Sequence, residues 1–174
     1  MTAQPGTSDP VSSAAHTTAE LAGAAVTELV AREATVATAE SLTGGLVAAA
    51  LTSVPGSSET VRGGLVAYAT PVKSALLGVD SELLQRAGPV DAEVAVQMAE
   101  GAASVFEATF GVATTGEAGP ESASGAPVGT VFVAVSGPGG TRVESLQLTG
   151  SRAEIRASAV QAALALLRRA LSPA

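Results

Sequence analysis

Apolar and polar positions alternate with two different periods along this chain, and the periods switch at glycines and prolines. Residues 17–32 place Leu21, Ala25, Leu29 and Val30 at helical spacing. The short apolar run 34–39 then reads as a buried strand. Residues 42–53, LTGGLVAAALTS, predict a helix despite two glycines, and 54-VPGSS-58 a turn. A second strand is expected over 61–69. Thr70 then acts as a helix cap with Pro71 in the first helical position, and that helix ends near Gly78. Asp80 caps a further short helix ending near Gly88. Asp91 caps a longer one over 92–107, with Val94, Met98, Ala102 and Val105 facing inward.

The second half reads differently. Residues 110–115, FGVATT, predict a third strand, followed by the glycine-rich loop 116-GEAGPESASGAPVG-129. Residues 129–137 and 141–149 predict a hairpin around Pro138-Gly139-Gly140. The last helix is expected over 151–171, with Ile155, Val160, Ala163, Leu164, Leu167 and Leu171 on one stripe, and Ser151 with Glu154 forming a capping box. Strands alternating with helices, then a closing hairpin, predict an α/β protein: a three-layer α/β/α sandwich with a mixed sheet. Residues 1–16 are rich in Ser, Thr, Pro and Gly and are expected to be a disordered tail, leaving one domain over 17–172.

Composition narrows the chemistry. Apolar residues make up 47% of the 174, but aromatics only 2%, so Ala, Val and Leu must fill the core, which favours helices packed closely on a sheet. The net charge is −7, with no basic cluster beyond Arg168-Arg169, which speaks against a nucleic-acid groove. The glycines, hydroxyls and Pro55 of 41–58 speak against a membrane span. The N-terminal stretch has neither the basic nor the apolar region of a secretion signal. There is no cysteine, which removes thiolate chemistry and cysteine-based zinc sites and suits a cytoplasmic location.

The one histidine, His16, falls in the expected tail, so a Ser-His-Asp triad and a His-rich metal site are both disfavoured. Any base must then be Lys, Tyr or a carboxylate. The chain has one lysine, Lys73, and one tyrosine, Tyr68, five residues apart at a strand-to-helix junction. Ligands of α/β sheets gather at the carboxyl ends of strands, where Ser41, Tyr68 and Thr115 are all expected. Ser-Lys or Ser-Tyr-Lys chemistry works without histidine if burial lowers the lysine pKa. Each feature also has a bland reading. Ser41 can cap a helix, Lys73 can be solvated, Tyr68 can be packing, and Gly44 and Gly45 can serve close helix–strand contact.

Seven collinear blocks resemble the CinA C-terminal domain family, also called the PncC-type nicotinamide-nucleotide amidase family. They are 39-AESLTGG-45, 55-PGSS-58, 63-GGLVAY-68 with Lys73, LLGV at 76–79, 115-TGEAGP-120, PVGTV at 127–131 and 150-GSRAEIR-156. The resemblance runs from about residue 17 to 171. It implies hydrolysis of the carboxamide of nicotinamide mononucleotide to nicotinate mononucleotide and ammonia, without metal or cofactor. It also implies self-association into a dimer or larger homo-oligomer. It further implies the stand-alone form, since the chain has no room for the larger N-terminal domain to which several members are fused.

Carried over position by position, the resemblance makes Ser41 the nucleophile, Lys73 and Tyr68 its proton-transfer partners, and Thr115 a site threonine. It makes Arg152 or Arg156 the phosphate partner. Backbone N–H groups near Thr43, Gly44 and Gly45 are expected to hold an oxyanion, and the loop containing Gly116 and Gly119 to hold the phosphate. Glu40 either orients Ser41 or Lys73 or bonds to backbone. The sequence departs from the family pattern at Leu42, Thr70, Glu117, 121-ESASGA-126 and Ser151. Two other readings stay open: a non-catalytic nucleotide-binding module of the same fold, and an amidase acting on another small amide.

Overall fold

The computed structural model describes residues 16–172, so the expected tail over 1–16 lies almost wholly outside the described residues. The chain orders as α1 (Thr18–Ala31), β1 (Val36–Glu40), α2 (Leu46–Thr52), β2 (Val61–Val66), α3 (Thr70–Leu77), α4 (Ser81–Ala87), α5 (Ala92–Val105), β3 (Phe110–Gly116), β4 (Thr130–Ser136), β5 (Arg142–Gln147) and α6 (Arg152–Leu171). A single turn of 3-10 helix at Ser57–Glu59 precedes β2. The five strands form one mixed sheet in the order β2-β1-β3-β4-β5. β1 pairs parallel with β2 and β3, whereas β4 and β5 are antiparallel additions.

The predicted three-layer sandwich is observed. On one face Val36, Phe110, Val112, Val131, Val133 and Val135 pack against α1, α2 and α6. On the other, Ala37, Ala39, Ala113 and Ala134 pack against α3, α4 and α5. The faces differ in bulk for a steric reason. At Gly111 an added Cβ would run into the Ala99 carbonyl of α5, so small residues let that helix lie directly on the sheet. Val facing one layer and Ala the other along β1, β3 and β4 is thus the sequence trace of two unlike helix layers. Among the described residues no helix is long and apolar enough to cross a membrane.

Helix ends follow the caps. Asp80 and Asp91 accept N–H groups of α4 and α5, and Ser151 and Glu154 form the predicted capping box on α6. Thr17 and Glu20 form a second capping box, on α1. Four expectations shift. Thr70 is not the cap of α3: Ala69 takes that place and Thr70 is already helical. β2 ends at Val66, so Tyr68 lies in the connection to α3 rather than in the strand. Val30 and Val105 are exposed, each at the last turn of its helix, where the stripe has rotated off the sheet. α2 begins at Leu46, not 42, because Gly44 and Gly45 both have positive φ and turn the backbone before the helix can start.

Candidate active site

From β1 the chain crosses to β2 on one side and later returns to β3 on the other. That reversal opens a crevice at the carboxyl ends of β1 and β3, where α/β sheets bind ligands. A cavity of about 530 Å³ lies there, within the size range of small-molecule sites. Ser41, Leu42, Tyr68, Thr115, Gly116 and Arg152 are among the residues lining it.

Ser41 is the first residue after β1, its N–H held by the Thr114 carbonyl of β3. Lys73 comes from the second turn of α3 and is wholly buried. Its Nζ donates to Ser41 Oγ at 3.1 Å and to the Ala67 carbonyl at 2.5 Å. Among the described residues no carboxylate pairs with it. Burial disfavours the ammonium and lowers the Lys73 pKa from 10.5 to about 8. A serine hydroxyl in contact with a lysine poised near neutrality is the constellation for nucleophilic attack without histidine. His16 lines a separate surface pocket beside Arg168 and Arg169.

Glu40 explains how the Ser41 turn is built. It is the last residue of β1 and almost fully buried. Its carboxylate accepts from Thr43 Oγ1 (2.7 Å), Gly45 N (3.0 Å), Val47 N (3.0 Å) and Ala48 N (2.8 Å). It therefore caps α2, its charge set against the positive end of the helix. Of the two alternatives for Glu40, backbone bonding is the observed one. Thr114 Oγ1 lies 2.7 Å from Thr43 Oγ1; since Thr43 gives its proton to Glu40, Thr114 donates to Thr43.

This arrangement corrects the expected oxyanion donors. Gly44 N–H bonds the Ser41 carbonyl and Gly45 N–H bonds Glu40, so neither is available to a substrate. Thr43, Gly44 and Gly45 do not line the cavity; the glycines make the turn rather than admit a ligand. Among the described residues the N–H groups of Leu42 and Thr43 bond no acceptor.

The two arginines of α6 part company. Arg156 is pinned beneath the turn, with Nε on the Leu42 carbonyl (2.9 Å) and a terminal nitrogen on the Thr43 carbonyl (3.0 Å), and it does not line the cavity. Arg152 does line it, and donates to the Gly119 carbonyl (2.7 Å) and Tyr68 hydroxyl (3.2 Å). Tyr68 is 61% exposed and its hydroxyl bonds neither Ser41 nor Lys73. Of the two expected proton-transfer partners, Lys73 contacts Ser41 directly and Tyr68 does not. Thr115 lines the cavity, but its hydroxyl donates to the Pro89 carbonyl at 2.6 Å.

The loop after β3 closes the far wall. Gly116 is the last residue of β3 and lines the cavity, whereas Gly119 contributes its carbonyl to Arg152. Glu117 is buried, and one of its oxygens accepts the Ala123 N–H at 2.7 Å. Pro89 and Val90, between α4 and α5, also line the cavity. Nothing in the sequence near Gly88 announces them; the Thr115–Pro89 bond that brings them in spans 26 residues. Among the described residues no group of three or more His, Cys, Asp or Glu could hold a metal ion.

Comparison with known proteins agrees with this architecture. The chain is 50% identical over 152 residues to a CinA-like protein of Frankia casuarinae, covering 87% of this chain and 35% of that protein. It is 46% identical over 154 residues to a CinA-like protein of Gemmatimonas aurantiaca, covering 88% and 36%. The chain thus spans about a third of the length of the curated relatives it matches. The crystal structure of the competence/damage inducible protein CihA from Agrobacterium tumefaciens superposes with a TM-score of 0.84 at 41% identity, covering 88% of this chain and 94% of that one. A CinA superfamily protein of Klebsiella pneumoniae gives 0.85 at 32% identity, covering 90% and 98%. The family model of the CinA C-terminal domain matches residues 18–171, and the chain belongs to that family.

Proposed function

We propose that this protein is a serine amidohydrolase that converts nicotinamide mononucleotide to nicotinate mononucleotide and ammonia. The observation that carries the reading is the 3.1 Å contact between Ser41 Oγ and the Nζ of a buried lysine whose pKa is lowered to about 8. A binding module has no need of a desolvated amine against a serine. At pH 7 about one-tenth of such a lysine is neutral, against well under a thousandth for a solvated one.

The steps follow from the groups present. Neutral Lys73 takes the Ser41 proton as Oγ attacks the carboxamide carbon. The oxyanion that forms is held by the N–H group of Leu42, the cavity-lining residue after Ser41 whose N–H has no acceptor among the described residues. The protonated Lys73 returns its proton to the departing nitrogen, the C–N bond breaks and ammonia leaves. Water, deprotonated by Lys73, then splits the acyl-Ser41 ester and frees the carboxylate. Arg152 is the phosphate partner in this reading, because Arg156 is committed to the turn.

The test is ammonia release and nicotinate mononucleotide formation, measured on the parent and on Ser41→Ala. Product from the parent alone establishes both the reaction and the nucleophile. Product from both retains the enzyme and removes Ser41 from the mechanism. Binding without product in a folded parent leaves a nucleotide-binding module.

A further inference from the structure

The cavity holds a charge that the reaction at Ser41 does not use. Glu117 is only 8% exposed, yet it lines the cavity. One carboxylate oxygen accepts the Ala123 N–H, and the other has no hydrogen-bond donor among the described residues. Among the described residues Glu117 forms no ion pair, although its cavity contains a guanidinium. Arg152, a cation lining the same cavity, also lacks a carboxylate partner among the described residues: its bonds go to the neutral Gly119 carbonyl and Tyr68 hydroxyl. A buried carboxylate that served only the fold would gain most by pairing with the guanidinium that shares its cavity. Here each makes its own separate bond to backbone, and both residues line the same cavity.

Such a cavity fits a ligand carrying both charges, an anion for Arg152 and a cation for Glu117. We infer that Glu117 is a specificity-determining residue that recognises a cationic ring, selecting a pyridinium mononucleotide over the same nucleotide with an uncharged ring. The inference rests on the substrate class proposed above and extends it. It names the oxidised, positively charged nicotinamide ring, rather than the carboxamide alone, as what the site recognises. Exposed Glu121 also lines the cavity and adds negative potential of the same sign, so the field favours a cation at that wall.

The charge of Glu117 can be separated from its structural bond. Glu117→Gln keeps an oxygen to accept the Ala123 N–H and removes only the charge. The experiment is calorimetric titration of the parent and of E117Q with nicotinamide mononucleotide and with its 1,4-dihydro form, whose ring is neutral. Both proteins carry Ser41→Ala so that nothing turns over. The parent pair is expected to prefer the cationic ring by about tenfold, the equivalent of about 1.4 kcal/mol. E117Q is expected to bring the ratio close to one by weakening the cationic ligand alone. A ratio that survives E117Q overturns the inference, as does an equal loss for both ligands, which would mark Glu117 as a loop brace. Amidase activity in the Ser41-intact parent is read separately. A charge-dependent ratio without hydrolysis keeps the inference and removes the amidase, and hydrolysis with an unchanged ratio does the reverse. Failure to bind either ligand overturns the inference whatever the hydrolysis assay reads.

Discussion

Glu40 and Glu117 leave the carboxyl ends of two neighbouring parallel strands, and both are buried, but they do opposite things. Glu40 accepts four donors from the turn and helix that follow it, so its lone pairs are spent inside the protein. Glu117 lines the cavity and accepts one, from Ala123, its other oxygen having no donor among the described residues. The arginines of α6 divide in the same way: Arg156 is locked on carbonyls of the Ser41 turn, and Arg152 stands on the cavity beside the Glu117 loop. A buried charge with full coordination marks scaffold, and one with capacity to spare marks a place for a ligand. The turn after β1 is thus the rigid half of the site, and the loop after β3 the receptive half.

The contrast is broken most severely at its centre. Ser41→Ala and Lys73→Met are each expected to lower kcat on the order of 10⁴-fold with the fold retained; turnover paired with circular dichroism checks this, and activity surviving in Lys73→Met removes it as base. Glu40→Ala strands four donors, two of them fully buried, around a lost charge and is expected to cost about 3–5 kcal/mol. Urea unfolding measures that, and a loss below about 1 kcal/mol would show the turn holding itself together without Glu40.

The arginine pair sharpens the division. Arg152→Ala is expected to raise KM by about tenfold or more and leave the unfolding midpoint nearly unchanged. Arg156→Ala is expected to cost about 2–3 kcal/mol of stability and to lower kcat by loosening the Ser41 turn. Reversed outcomes would exchange their roles. The smallest effect is with pH. Ser41 needs the neutral amine, and burial has brought the Lys73 pKa down to about 8. Accordingly kcat/KM is expected to rise with pH, about tenfold from pH 7 to a plateau above 9, with its inflection near 8. A profile flat between pH 6 and 9 would show that Lys73 does not set the rate.

Much of this was legible in the chain, for a common reason. Helix caps at Asp80, Asp91 and Ser151 and the apolar stripe of α6 are local or periodic, and local rules read them. Elimination left Lys73, Tyr68 or a carboxylate as the base, and the family resemblance is what joined Lys73 to Ser41. The start of α2 was misread because propensity sees LTGGLVAAALTS as one helical run. The positive φ of Gly44 and Gly45, together with the cap from Glu40, is decided by how β1 meets the helix.

What the sequence determined by itself was the order and type of the elements, the mixed sheet and the short inventory of groups able to do chemistry. The tertiary structure alone decided which of those groups keep unspent capacity. Glu40 and Glu117, Arg152 and Arg156, and the N–H groups of Leu42 to Gly45 are alike as residue types. They differ only in the partners that distant strands and loops bring to them. Hydrogen-bond satisfaction of a buried group is a property of its three-dimensional surroundings, and no pattern along the chain encodes it.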